Sequence, residues 1–317
     1  MKKRIIIFFC FTLLLFACAH GDYEKLYPVV VEGKIGYIDN SGKIIIEPRF
    51  FDGLEFTEGL GAVMYDGKWG FIDKSGEFIV PPKYESVGAF SEGLARIEVN
   101  GKYGYINRAG EIIIVPRFDF GGDFSEGYVH VEINRRWGYI DRSGNYLVGP
   151  KFYDAHNFSG GLASVERGER WGFIDRTGEY KIRPRFEMAG NFSEGVGKAK
   201  KGGKYGYIDK TGKFVIEPEF DSAWDFSEGL APVKIGGKWG YIDKRGKIVI
   251  HTKFDSVRPF SEGLAVVMVA GWCGYIDKTG KYVISLKFDG AGSFSGGIAS
   301  VKINDRWGYI NKRGEYI

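Results

Sequence analysis

The segment Lys68-Trp69-Gly70-Phe71-Ile72-Asp73-Lys74-Ser75-Gly76 decides the fold, because versions of it occur nine times along the chain. An unbroken period indicates that one supersecondary unit is repeated, and that neighbouring units bury one another's apolar faces. The chain is therefore predicted to form a repeat domain. The central glycines are spaced every 34 residues, at Gly36, Gly70, Gly104, Gly138, Gly172, Gly206, Gly240, Gly274 and Gly308.

Each repeat has the pattern of three short strands. Leu94–Val99 alternates apolar and polar residues, which is typical of a half-buried strand. An Asn-Gly hairpin turn separates it from a second predicted strand at residues 102–106. A capped turn with a glycine at its end, residues 107–110, precedes a third predicted strand at residues 111–115, which a proline closes. The unit is thus predicted to be a three-stranded meander followed by a connector.

Most central glycines lie between two aromatic residues. Because a glycine inside a strand is unfavourable alone, we expect a neighbouring ring to cover its bare backbone. The tryptophans that precede these glycines are predicted to be core rings; an exposed ladder that stacks on sugar rings is the alternative. The predicted structural core positions are Trp69, Gly70, Trp137, Gly138, Trp171, Gly172, Trp239, Gly240, Trp307 and Gly308.

Residues 1–17 are predicted to be a signal peptide. Three basic residues precede an apolar run, residues 5–17, that is too short for an ordinary membrane-spanning helix. The segment Leu15-Phe16-Ala17-Cys18 resembles the bacterial lipobox, in which the chain is cut before the cysteine and that cysteine is acylated. The resemblance implies lipidation of Cys18, with palmitate among the acyl chains. Plain secretion and an uncleaved anchor are the alternatives.

This interpretation also predicts the domain organisation. Residues 18–26 are the lipidated cysteine and a short tether, and residues 27–317 are the repeat domain, with eight full repeats and a partial ninth. Several acyl chains would hold the domain firmly at a membrane of the bacterial cell envelope. Ala19 stands where an aspartate retains lipoproteins in the inner membrane of some bacteria, so we expect the outer membrane instead.

The net charge bears on the kind of partner, and the cysteine content bears on disulfide bonding. The formal net charge of +4 falls to +1 without the signal peptide, which is no polyanion-binding balance, so we expect no nucleic-acid partner. Cys10 leaves with the signal peptide and Cys18 carries the lipid, so Cys273 remains alone and no intrachain disulfide is expected. Cys273 replaces a tryptophan and is predicted to be a small core residue.

No motif in the sequence predicts catalysis, a metal or a cofactor. The repeated Asp-Lys-Ser-Gly turn offers one carboxylate, whereas a calcium ion needs several converging oxygen ligands, so turn capping is the better interpretation. The four histidines lie at unrelated positions without metal-ligand spacing; they are His20, His130, His156 and His251. We therefore expect the protein not to be an enzyme and to need no cofactor.

The repeated Lys-Trp-Gly-aromatic-Ile-Asp-Lys-x-Gly core resembles the WG, or KWG, repeat family of bacterial β-repeat proteins. The resemblance extends from Tyr27 to Ile317 and rests on nine copies. It implies an all-β fold and a frequent occurrence in the cell envelope. It implies no catalytic residues.

Two architectures accommodate such units, and we expect an open, twisted, solenoid-like β-array of stacked meanders. A propeller-like closed ring is the alternative; propeller blades are usually about 40–45 residues long, and these units are shorter. The expected function is a non-catalytic interaction scaffold for protein partners, held to a membrane by its N-terminal lipid. The alternative is a carbohydrate- or peptidoglycan-binding module that uses exposed aromatics.

Overall fold

The computed structural model describes residues 25–317 and shows an all-β fold of nine small antiparallel sheets. Each sheet is called a blade, numbered along the chain. Blades two to eight have four strands, and blades one and nine have three. The order across a complete blade is a short strand, then a first, second and third strand, so the third strand forms one edge.

The strands recur at the same place in every repeat. The first strands are Tyr27–Val31, Gly61–Tyr65, Leu94–Val99, Tyr128–Ile133, Leu162–Arg167, Val196–Lys201, Leu230–Ile235, Ala265–Val269 and Ile298–Ile303. The second strands are Lys34–Ile38, Lys68–Ile72, Lys102–Asn107, Arg136–Asp141, Arg170–Asp175, Lys204–Ile208, Lys238–Asp243, Trp272–Ile276 and Arg306–Asn311. The third strands are Ile44–Phe50, Phe78–Tyr84, Ile112–Phe118, Tyr146–Phe152, Tyr180–Phe186, Phe214–Phe220, Ile248–Phe254 and Tyr282–Phe288. The short strands are Asp52–Gly53, Ser86–Val87, Phe120–Gly121, Asp154–Ala155, Met188–Ser193, Ser222–Ala223, Ser256–Val257 and Gly290–Ala291.

The two turns of the meander form as the sequence predicts. Asn100 and Gly101 both have positive φ, 51° and 69°, as a type I′ hairpin turn requires. In the second turn, the Asp73 carboxylate accepts hydrogen bonds from the amides of Ser75 at 2.8 Å and Glu77 at 3.1 Å. Gly76 ends that turn with a φ of 90°. These side-chain caps explain why, in each blade, an Asp or Asn stands at the end of the second strand or directly after it.

The connector contains a strand that the sequence analysis did not predict. Ser86–Val87 pairs antiparallel with Ile97 and Glu98, so it joins the next blade rather than ending the previous one. The pairing is only two residues long and shows no apolar alternation, which is why the pattern gave no sign of it. Consecutive blades are therefore linked directly, from a third strand to the short strand of the following blade.

The third strand also runs past the proline that was expected to close it. Ile112–Phe118 includes Pro116, which an edge strand tolerates because one row of its backbone groups needs no partner. The pairing with the second strand is bulged, since Tyr103 lies opposite Phe118 and Tyr105 lies opposite Ile114. A step of two residues along the second strand, from Tyr103 to Tyr105, thus corresponds to a step of four residues along the third, from Phe118 to Ile114.

This bulge explains the central glycine, and the expectation that a ring covers it is wrong. A Cβ atom on Gly104 would lie 2.4 Å from the carbonyl oxygen of Ile114 and 2.6 Å from the nitrogen of Pro116. The third-strand backbone itself therefore lies over the glycine. The same contact with the third strand recurs at the central glycines of the other seven blades that have a complete third strand.

Hydrophobic contacts between neighbouring blades form the core. In the cluster between blades three and four, Tyr105 and Phe118 of one blade pack with Phe124 and Val131 of the next. Nine such clusters occur among residues 25–317, one for each blade and its neighbour. The ninth joins Tyr27 and Ile38 of blade one to Ile298 of blade nine.

The blades close into a ring, so the expected open array is wrong and the propeller-like alternative is confirmed. At the closure, the Tyr27 hydroxyl donates to the carbonyl oxygen of Ser295 at 2.8 Å, and Lys25 Nζ donates to the Ser295 hydroxyl at 2.6 Å. The Tyr27 and Tyr309 rings are 5.8 Å apart. Lys25 and the buried Leu26 pack on the ring, although they belong to the predicted tether; residues 18–24 lie outside the described residues.

Substituting a central glycine should destabilise a complete blade and spare blade nine. In Gly138→Ala, the new Cβ would meet the Val148 carbonyl oxygen at 2.5 Å and the Pro150 nitrogen at 2.8 Å. We expect a loss of about 2 kcal/mol or more in the free energy of unfolding, as for overpacked cores. Urea denaturation monitored by circular dichroism measures it.

Gly308→Ala is the matched control, because the nearest atom to its Cβ would be 3.8 Å away, on Tyr316. Its unfolding free energy should stay within about 0.5 kcal/mol of the parent. Equal losses for both variants would contradict this account of the central glycine.

Candidate functional site

An apolar groove lies at the ring closure. It has a volume of about 680 Å³ and lies between the first strand of blade one, Tyr27–Val31, and the second strand of blade nine, Arg306–Asn311. Its lining is Pro28, Val29, Val30, Ile35, Gly53, Ser300, Asp305, Arg306, Trp307, Gly308 and Tyr309.

Within residues 25–317, two strands that cover the equivalent surface in other blades are absent from this groove. Blade nine has no full third strand within residues 25–317, and pairing on that side of its second strand is limited to the bridge between Ile310 and Tyr316. One further hydrogen bond runs from the Ile317 amide to the Tyr309 carbonyl at 3.1 Å. Blade one likewise begins with its first strand and has no short strand among these residues. An uncovered strip of sheet edge remains at Arg306–Gly308.

Trp307 is the main aromatic side chain of this strip, and its assignment as a core residue is wrong. Its exposed fraction is 63%, whereas Trp171 is 5% exposed and stacks on His156 at 4.8 Å. The equivalent Trp137 is half-buried and lies opposite Phe152 of its own third strand. The difference follows from the missing cover, because the residues around Trp307 match those of the other repeats.

The other predicted core positions are buried or half-buried. The glycines at 70, 138, 172 and 240 are buried, each against its third strand. Trp69 and Trp239 are half-buried and pack against core clusters. Cys273 is buried, as expected for a small core residue, and burial raises the pKa of its thiol.

A hydrogen bond fixes the floor of the groove. The Tyr309 hydroxyl donates to the carbonyl oxygen of Pro28 at 2.6 Å, which ties blade nine to blade one. Burial, assisted by the charge of Glu55, raises the pKa of Tyr309 to about 12, so the hydroxyl stays protonated and remains a donor. At the rim, Lys302 and Asp305 form an exposed ion pair at 2.8 Å. The groove thus combines an apolar wall, an unpaired strand edge and a charged rim.

No group of three or more His, Cys, Asp or Glu side chains among residues 25–317 is placed to hold a metal ion. No helix in this part of the chain is long and apolar enough to cross a membrane. His20 and Cys18 lie outside the described residues. His130 and His156 lie at the interface of blades four and five, where both are largely buried against tryptophans.

The chain belongs to the family of proteins with WG containing repeats. The family model matches eight consecutive segments, which together cover most of the chain. They are residues 35–69, 69–103, 103–136, 137–171, 171–205, 205–239, 239–271 and 274–307. The resemblance seen in the sequence is thereby confirmed. No curated protein matches the chain.

Several solved structures are similar to this one at low sequence identity. One described as the eukaryotic initiation factor is 12% identical with a TM-score of 0.67, over 92% of this chain and 95% of that chain. Kluyveromyces lactis Hsv2p is 9% identical with a TM-score of 0.45, over 71% and 91% of the two chains. PorZ, a bacterial surface component of the type-IX secretion system of Porphyromonas gingivalis, is 11% identical with a TM-score of 0.39, over 82% and 44%. At this identity the first likeness bears on the fold alone.

The stability of the ring should fall as the pH drops below about 6.5. Burial lowers the pKa of His130 to about 4 from its ordinary 6.5, and neighbouring His156 acts in the same direction. The unfolded chain therefore binds the proton first, and stability is lost as the pH falls from 6.5 toward 4. For one such group we expect a loss of about 2 kcal/mol between pH 6.5 and 5, measured by urea denaturation at each pH.

His130→Val, which introduces the residue found at the equivalent position in blade eight, should flatten this dependence. His251→Val is the control, since His251 is exposed, and it should keep the parent's slope. An unchanged slope in His130→Val would refute the assignment to His130.

Proposed function

We propose that the protein is a non-catalytic interaction scaffold of the bacterial cell envelope, and that it binds an extended segment of a protein partner in the groove at the ring closure. The observation that carries the proposal is the uncovered edge of blade nine at Arg306–Gly308. An exposed strand edge presents a row of unpaired N–H and C=O groups, which readily pairs with another chain. Strand addition of this kind is a recurrent way of recognising peptides.

The other blades indicate what such a segment would look like. In blade four, the third strand Tyr146–Phe152 places Phe152 opposite Trp137 and Val148 opposite Tyr139. The equivalent tryptophan and tyrosine of blade nine are Trp307 and Tyr309. A partner segment with apolar residues at these two registers would bury the exposed indole and satisfy the strand edge. Burying a side chain of this size contributes about 1.5–3 kcal/mol.

A peptide with the sequence of residues 148–152 should therefore bind to blade nine, next to Tyr316 and Ile317, which already stand at the places of residues 146 and 147. We expect saturable binding by isothermal titration calorimetry, with a change in tryptophan fluorescence. Trp307→Ala should weaken it by at least about tenfold, because central aromatic residues dominate such interfaces. A peptide with aspartate in place of its first residue, the counterpart of Val148, should not bind.

Trp272→Ala provides the control for this experiment. Trp272 is 50% exposed, but it belongs to blade eight, which has its own third strand Tyr282–Phe288. The substitution should leave the affinity unchanged. Equal losses for the two tryptophans, or no binding by the parent, would rule out strand addition at this edge. Comparing chains that start at residue 19 and at residue 25 shows whether the chain's own N-terminal residues compete for the groove.

The envelope location is the second part of the proposal. It rests on the signal-like residues 1–17 and the lipobox-like segment that ends at Cys18, with the outer membrane as the expected site. Cys18→Ser should move the protein from the membrane fraction to the soluble fraction and abolish labelling by a palmitate analogue. Cys273→Ser is the control and should stay labelled and sedimentable. Membrane retention of an unlabelled Cys18→Ser protein would point to an uncleaved anchor instead.

A second candidate function is carbohydrate or peptidoglycan binding, favoured by the exposed indoles. Trp224, Trp272 and Trp307 are 39%, 50% and 63% exposed, and aromatic faces of this kind stack on sugar rings. Co-sedimentation of the lipid-free chain with purified peptidoglycan, competed by soluble glycan, would replace the peptide-binding proposal if the peptide fails to bind.

A further inference from the structure

Glutamate side chains tie consecutive blades together around most of the ring. The connector motif Phe-Ser/Thr-Glu/Gly-Gly occurs eight times, with glutamate in six copies. In all six, the glutamate carboxylate accepts a hydrogen bond from the backbone amide of the glycine 35 residues further on, at 2.9–3.2 Å. We call this arrangement the glutamate clamp. The six residues are Glu58, Glu92, Glu126, Glu194, Glu228 and Glu262.

A cation 50 residues further along the chain completes the clamp in four of these copies. Glu126 pairs with Arg176 at 2.9 Å, and Glu194 pairs with Lys244 at 3.1 Å. The two remaining pairs, Lys278 with Glu228 and Lys312 with Glu262, also have a separation of 3.1 Å. Burial raises the pKa of Glu126, but the hydrogen bonds from Arg176 and the backbone amides outweigh it and hold that pKa below its ordinary value. The site is thus built for an ionised carboxylate.

In the fourth copy, glycine replaces the glutamate at Gly160, yet the rest of the clamp remains. The two groups that would receive the carboxylate are the amide of Gly195 and the ammonium of Lys210. Neither has a partner among residues 25–317. A Cβ atom on Gly160 would lie 3.7 Å from Lys210 Nζ, so the cation still faces the empty position. A cavity of about 410 Å³ occupies this place.

The other glycine of this kind, Gly296, leaves no such space. The Tyr27 hydroxyl would lie 2.0 Å from a Cβ atom there, so a tyrosine of blade one occupies the position. The ring closure therefore explains why glycine replaces the clamp glutamate at position 296. Nothing among the described residues fills the corresponding space at Gly160.

We propose that the cavity at Gly160 binds the side-chain carboxylate of a glutamate from a partner polypeptide. The bound carboxylate would accept from the Gly195 amide and pair with Lys210, as the protein's own glutamates do elsewhere. A charge-assisted hydrogen bond plus an ammonium contact is the arrangement that recognises a single carboxylate. This site is separate from the groove of blade nine, so Trp307→Ala does not affect it.

Two polar side chains on the cavity wall have unpartnered oxygens, as the repeat has elsewhere. The cavity is also lined by Asn191 and Asp225, and the Oδ1 atom of each is buried without a hydrogen-bond donor. Lys198 Nζ is 3.8 Å from the Asp225 carboxylate, beyond hydrogen-bond distance. Buried acceptors are costly unless a donor reaches them. Asn157, at the equivalent position one repeat earlier where Glu126 fills the clamp, has the same buried Oδ1 atom. The choice of a polypeptide ligand therefore rests on the six clamps, in which a glutamate side chain of a polypeptide fills the equivalent position.

The nearby Glu194 does not compete for Lys210. Its carboxylate is already held by Lys244 and by the amide of Gly229. Both of its oxygens lie within 3.2 Å of that amide, so Glu194 completes the following clamp. The local charge left without a partner is the ammonium of Lys210.

The test uses the peptide acetyl-Gly-Glu-Gly-amide and its glutamine counterpart, titrated into the protein from residue 19 onward. Binding is measured by NMR through the shifts of backbone amides in blades five and six. We expect the glutamate peptide to shift the Gly195 amide and to bind at least tenfold more tightly than the glutamine peptide. Lys210→Gln should weaken binding at least tenfold.

Gly160→Glu should abolish binding, because it supplies the missing side chain. Gly160 has a φ of 64°, and the six clamp glutamates have φ values from 50° to 54°, so a glutamate fits this backbone. The same variant should melt a few degrees higher than the parent. Lys278→Gln is the matched control: it removes the equivalent lysine from an occupied clamp and should leave peptide binding unchanged.

Three results would overturn the proposal. They are equal binding of the two peptides, undiminished binding in Lys210→Gln, and loss of binding in Lys278→Gln of the same size. If Gly160→Glu fails to fold, the comparison of the two lysine variants still decides the question. Binding of glucuronate or inorganic phosphate without binding of the glutamate peptide would replace the polypeptide with a sugar acid or a free anion.

Discussion

The close approach of the third-strand backbone to the central glycine is the contact on which the rest of the structure depends. Because the third strand bulges over Gly104, the residues on either side of that glycine are fixed in orientation. The following tyrosine, Tyr105, enters the interface with the next blade, and its hydroxyl donates to the carbonyl of Gly122 at 3.0 Å. A steric constraint within one blade thereby positions the hydrogen bond and the rings that hold the next one.

The ring closes because the same interface between neighbouring blades recurs along the chain. Where blade nine meets blade one, a different set of contacts is needed. In six other blades the hydroxyl of the equivalent tyrosine donates to the carbonyl of the residue just after the next short strand, whereas Tyr309 reaches Pro28 in a first strand. The side chain of Tyr27 also occupies space that a clamp glutamate would need at Gly296. The closure is therefore held by Tyr27 and Tyr309 together. The groove lies beside these two residues, which replace the contacts made between other neighbouring blades.

Much of the blade could be predicted from the sequence, because strands, turns and the glycine period are local. The capped turns at Asn107 and Asp73 needed only residues two to four positions away. The two-residue short strands, the continuation through Pro116 and the ring closure depend on pairing between distant segments, which no local pattern encodes. Trp307 could not be told from Trp137 for the same reason, since its exposure depends on what covers it.

The replacement at Gly160 was visible in the sequence, but its meaning lay in residues far along the chain. In a ring of repeats, each unit is an internal control for the others, because the same side chains occur in some units with their usual contact residue and in others without it. A cation that pairs with glutamate in four other copies, but has no glutamate to pair with at Lys210, is a sharper signal than an exposed lysine in a fold without repeats. Binding sites in such rings are thus best sought where one member of a repeated contact is missing and the others are retained.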